Sequence, residues 1–160
     1  MTVFWIFVCS AAIVAAAYFA GKPRRDKMIA DKKIVARPYE WYKNAEVFTL
    51  SGADFDRVEE GIVHADFSGT GASATKNDGR KAIGFKAGTW RAEIYKKEND
   101  GDKDVYYFHF VQWDTHRGTP YGLMEMNILL TAVEKVFLQI DPGTQVKTIP
   151  IKVSSKPSFF

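Results

Sequence analysis

Val105-Tyr106-Tyr107-Phe108-His109-Phe110-Val111-Gln112-Trp113 is the stretch that decides the fold. Successive side chains of a strand point to opposite faces, and here both sets are apolar. Val105, Tyr107, Val111 and Trp113 fall on one face, with His109 among them, while Tyr106, Phe108 and Phe110 fall on the other. A strand apolar on both sides belongs in the middle of a covered sheet.

Its neighbours build outward from it. In Thr89–Lys96, Trp90, Ala92 and Ile94 alternate with Arg91, Glu93 and Tyr95, the period of a half-buried strand. Ala82–Lys86 reads as a short strand before it, and Glu98–Asp104 as an acidic turn after it. Downstream, the spacing predicts a helix over Pro120–Ile140, with Thr119 as N-cap, Pro120 at the first helical position and Asp141-Pro142-Gly143 as the stop. Leu123, Met126, Leu129, Leu130, Ala132, Val133, Val136, Phe137 and Ile140 line one half of that helix. Met124, Ile128 and Leu138 intrude on the polar half, as in a helix that is deeply buried or has a second partner. A last strand, Gln145–Val153, carries Pro150, which favours an edge position.

Upstream, a helix is expected over Ala53–Ala65, capped by Ser51, with Phe55, Val58, Ile62 and Ala65 on one face. Gly61 inside it costs about 1 kcal/mol relative to alanine. Ser68–Gly79 is small and polar and reads as a loop, and Met28–Lys43 as a short helix or linker. The expected order is helix, three strands, helix, strand.

The first residues are of another kind. Val3–Ala20 is an 18-residue run without a charged side chain, about 27 Å long as a helix and close to the roughly 30 Å of a bilayer core. Trp5 and Tyr18 sit near its ends, where amphipathic rings favour the headgroups. Ala15 and Ala17 would allow signal-peptide cleavage, but no basic residue precedes the run and it exceeds the roughly 7 to 15 residues of a signal core. An uncleaved anchor is the reading adopted.

Charge is distributed unevenly. Lys22–Arg37 holds seven basic residues against Asp26 and Asp31, whereas Pro38–Phe160 holds 15 basic and 17 acidic. The formal excess of +3 therefore gives no compositional case for nucleic-acid binding, and none is expected. Lys22, Arg24, Arg25 and Lys27 would lie against the inner leaflet, and their bias places the soluble part in the cytoplasm. The single cysteine, Cys9, excludes an intrachain disulfide.

The expected fold class is thus α+β: an N-terminal transmembrane helix followed by a small antiparallel sheet packed with two helices. The division is 1–21 anchor, 22–44 basic juxtamembrane linker, 45–153 soluble domain and 154–160 tail.

Candidate chemistry is thin. Gly69–Gly79 lacks the Gly-Lys-Ser/Thr of a phosphate loop. Aligning Gly101 with a calcium loop puts Lys96 first and Tyr107 last, where neither can ligate. His109, Asp114 and His116 are the one close group of possible ligands or acid–base residues, and support an alternative reading as a membrane-bound hydrolase or metal-dependent enzyme. Trp113, Arg117 and Tyr121 gather where a strand ends and a helix begins.

Ala65-Asp66-Phe67-Ser68-Gly69 through Trp113, then Asn127–Lys135 and Asp141–Val146, resemble small single-pass membrane proteins of Gram-positive bacteria and their mobile elements. The resemblance implies a bacterial membrane-anchored domain and carries over no catalytic residue. The function expected is a non-catalytic protein-interaction or assembly module without a cofactor. Its partner surface would comprise Met124, Ile128, Leu138, Trp113, Arg117 and Tyr121. An extracytoplasmic secretion or conjugation component is a further alternative.

Overall fold

The strand that organises the sequence becomes the fourth of six in one antiparallel sheet. The computed structural model describes residues 22–97 and 102–151. In chain order its elements are α1 (22–30), β1 (Asn44–Ser51), α2 (Phe55–Val63), β2 (Ser73–Asn77), β3 (Ala82–Lys86) and β4 (Trp90–Lys96). There follow β5 (Lys103–Trp113), β6 (Thr115–His116), β7 (Thr119–Pro120), α3 (Leu123–Ile140) and β8 (Gln145–Pro150). The sheet order is β2-β3-β4-β5-β1-β8, and β6 pairs with β7 as a separate ribbon.

The chain divides into two compact units, Met1–Ala36 and Arg37–Phe160. In the first, α1 closes on Lys32 at φ 55, with Lys33 N donating to Met28 O at 2.8 Å and Lys32 N to Ile29 O at 3.0 Å. That pair of bonds is a Schellman motif, with lysine at the left-handed position glycine usually takes. Among the described residues no helix is long and apolar enough to cross a membrane; the predicted span Val3–Ala20 lies outside them, as do the tail and part of the acidic turn.

In the second unit both long helices pack on one face of the sheet. Phe48 of β1 stacks on Phe137 of α3 at 4.1 Å, and Tyr106 of β5 meets the same ring at 5.3 Å. Phe55, Val58 and Ile62 of α2 join this core with Phe85, Trp90, Ile94, Phe108 and Phe110 of the sheet.

Several expectations are corrected. The predicted loop over 68–79 contains β2, an edge strand exposed at every position described and therefore without the alternation that betrays a strand. β1 was not expected at all; it lies between β5 and β8, and it buries Ala45 and Val47 on one face and Phe48 and Leu50 on the other. Asp54 rather than Ser51 caps α2, its Oδ1 accepting from Arg57 N at 3.0 Å. Pro120 does not open α3, because Thr119 and Pro120 are committed to β7; the helix starts after Gly122, at φ 73. It ends at Asp141-Pro142-Gly143 as expected, and β8 takes the edge.

One irregularity changes a face. Arg91 pairs with Gln112 but Ala92 with Phe110, so Val111 is an inserted residue, a β-bulge. Beyond it the alternation inverts. Trp113, expected beside Tyr107, instead pairs with Trp90 on the helix side.

Gly61 is explained by close helix contact. A Cβ there would lie 2.7 Å from Val136 Cγ1 of α3. Gly61→Ala gains about 1 kcal/mol of helix propensity but overpacks the crossing at a cost of about 1 to 3 kcal/mol. The expected result in urea unfolding is net destabilisation, relieved when Val136→Ala is added. A stabilised single variant would show that the helices move apart freely.

Candidate functional site

The most distinctive exposed feature is the β6–β7 ribbon. Thr115 pairs with Pro120 and His116 with Thr119, leaving Arg117-Gly118 as a two-residue turn with φ 49 and φ 80. Positive φ at both central positions is the signature of a type I′ turn, which asparagine-glycine satisfies without strain. An arginine pays for that conformation, at about 1 to 2 kcal/mol.

The ribbon is held firmly at its base. Asp114 N donates to Thr89 O at 2.8 Å, and Tyr121 N to Asp114 O at 3.0 Å. Trp113 is buried and packs edge-on against Tyr42 at 5.3 Å, so it supports the site and presents no surface of its own. Arg117 is exposed, Tyr121 is 47 % exposed, and its ring lies 6.0 Å from that of His116. The expected group Trp113, Arg117 and Tyr121 is therefore assembled as a buried base and an exposed tip.

Met124, Ile128 and Leu138 do not form one open stripe. Leu138 is exposed, whereas Met124 and Ile128 are half-buried, with Ile128 beside Gly69. Between them Thr131 is covered, and Arg37 accounts for it. The Arg37 guanidinium donates to Glu134 through both carboxylate oxygens at 3.0 and 2.8 Å, to Asn127 Oδ1 at 3.0 Å and to Thr131 Oγ1 at 3.2 Å. It also sits 5.2 Å over the Trp41 ring. Its side chain retains 7 % exposure. Arg37, counted by charge with the juxtamembrane cations, is a fastening of the domain. Lys22, Arg24, Arg25 and Lys27 are exposed on α1.

The opposite face of the sheet, which neither α2 nor α3 covers, carries a second cluster. Tyr95 and Tyr107 stack at 5.4 Å and 14°, Lys97 Nζ lies 5.8 Å over Tyr107, and His109 meets Tyr95 edge-on at 5.9 Å. His109 Nε2 lies 3.5 Å from Glu93 Oε1. Burial holds the His109 imidazole below its ordinary pKa, and the neighbouring carboxylate opposes that shift without cancelling it. Burial likewise pushes the Tyr95 phenol up. The alternation of β4 carries the signal for this face in Arg91, Glu93 and Tyr95.

His109 thus belongs to the sheet face, whereas Asp114 and His116 belong to the ribbon. Among the described residues no three His, Cys, Asp or Glu side chains are grouped to hold a metal ion. The constellation required for the metal-enzyme alternative is not assembled there. Comparison with protein-family models, curated proteins and solved structures gives no match to this chain.

Proposed function

We propose that the protein is a membrane-anchored, non-catalytic interaction module that engages a protein partner through the β6–β7 ribbon. The observation that carries this reading is Arg117, kept in a left-handed conformation at an exposed tip where asparagine or glycine would be more stable. Strain retained at a surface position points to a use for the side chain. Arginine and tyrosine are the residue types that dominate interface energies, and here they stand on a ribbon whose base is packed into the core. The anchor is Val3–Ala20, supported by its length and lack of charge. The basic residues after it favour a cytoplasmic domain.

Arg117→Asn separates stability from binding. It is expected to raise the unfolding free energy by about 1 kcal/mol, since asparagine tolerates the left-handed region, while weakening the partner contact. The test replaces Tyr121 by p-benzoylphenylalanine in the full chain, expressed in its native cells and irradiated. A discrete membrane-bound adduct that disappears on adding Arg117→Asn supports the proposal. No adduct, or one indifferent to Arg117→Asn, overturns the ribbon; release of the chain from membranes by alkaline carbonate overturns the anchor.

A further inference from the structure

The domain's near-neutral total hides a segregation of charge. On the sheet face away from α2 and α3, strand alternation places Lys86, Arg91, Lys97, Lys103 and Lys147, all exposed, with Glu93 the one carboxylate among the described strand-paired residues of that face. Many of the described acids lie on the helix side, Asp54, Asp56, Glu59 and Glu60 on or beside α2 and Glu125 and Glu134 on α3, while Asp102 adjoins Lys103 in the turn between β4 and β5. Lys86 and Arg91 are direct cross-strand partners, and among the described residues neither has an ion-pair partner. Like charges facing each other across a strand pair are unfavourable, unless an anion lies over both.

We propose that this face docks on an anionic lipid bilayer. Three observations select that occupant. Lys86 on β3 and Lys147 on β8 are four strand spacings apart, roughly 19 Å at about 4.8 Å each. Cations spread that far match a plane of phosphodiester headgroups better than one compact anion. Second, the tyrosine cluster does not suit single-stranded nucleic acid, which binds by stacking bases on open ring faces. Here Tyr95 and Tyr107 stack on one another, Lys97 lies over Tyr107 and His109 abuts Tyr95. What the cluster retains is its phenolic rims and ammonium groups, which suit a headgroup layer. Third, the inference extends the tethered-module reading, because an anchor at Val3–Ala20 confines the domain within reach of a bilayer, where each basic side chain adds its attraction.

The test uses the full chain carrying Cys9→Ala with either Thr75→Cys on this face or Ser68→Cys away from it. Each is placed in nanodiscs of phosphatidylcholine alone or mixed with phosphatidylglycerol, and the rate of thiol modification is measured. The expected result is a rate at position 75 slowed about fivefold or more by anionic lipid, the effect of even one cation's attraction, with position 68 unchanged. Lys86→Glu with Arg91→Glu, or high salt, restores the rate. Equal rates at position 75 in both lipids overturn the proposal. So does tight binding of a fluorescent single-stranded oligonucleotide to the chain in neutral nanodiscs that Lys86→Glu with Arg91→Glu abolishes. Should the chain fail to enter nanodiscs, the tether reading fails alone, and vesicle flotation decides the face: flotation with anionic but not neutral vesicles supports it, and equal behaviour overturns it.

Discussion

Arg37→Ala is expected to lower the unfolding free energy by about 3 to 5 kcal/mol, the range for removing one partner of a buried ion pair. The size follows from what is left behind. Glu134 would lose both of its guanidinium contacts while 19 % exposed, and Asn127 and Thr131, each under 10 % exposed, would lose a donor. Glu46 adds to the penalty, since its carboxyl, pushed above the ordinary range mainly by burial, interacts with both Glu134 and Arg37. Chemical denaturation measures the loss, and Glu134→Gln tests its origin. Once Glu134 is neutral, Arg37→Ala should cost markedly less. An unchanged cost in the Glu134→Gln background would falsify the ion-pair account and leave packing on Trp41 as the source.

The clamp also shows where a sequence stops being legible. By position Arg37 is one more cation after an apolar run. Its role depends on Asn127, Thr131 and Glu134, at least ninety residues away, and no local pattern announces that pairing. Elements with strong periodicity were readable: β3, β4 and β5, the body and end of α3, and β8 at the edge. β1 was hidden because both of its faces are buried and polar residues interrupt it, and β2 because neither face is buried. The bulge at Val111 left no mark, since one inserted residue looks like any other until the register is seen, and with it went the placement of Trp113. The sheet's basic face was invisible to a net-charge sum, which cannot tell mixed charges from sorted ones. The exposed turn that carries Arg117 and leads to Tyr121 was legible because a turn between two strongly patterned elements is recognisable from its ends.

Gly122→Ala is the second large effect expected, about 2 to 4 kcal/mol of destabilisation, combining left-handed strain with overpacking. Gly122 joins the ribbon to α3 at φ 73, and a Cβ there would stand 2.9 Å from Trp90 Nε1 and 3.0 Å from Trp90 Cδ1. Trp90 cannot retreat easily, since it is 2 % exposed and packs edge-on to Phe110 at 5.7 Å. Gly122→Asn divides the two costs, because asparagine accepts the backbone conformation but still carries a Cβ. It should recover about 1 kcal/mol of the loss in thermal or urea unfolding. Equal stability of Gly122→Ala and the parent would show that Trp90 yields without cost.

The fastening at Arg37 has a mechanical side. Force transmitted along the backbone from the N-terminal direction reaches Arg37 before it reaches β1 at Asn44, and there it meets a side chain bonded to three residues of α3. A pull is thus borne first by a helix and its packed neighbours, which share the load, and not by the end of one strand that could be peeled bond by bond. For a domain loaded through its leading end, that is the difference between a cleat and a loose thread.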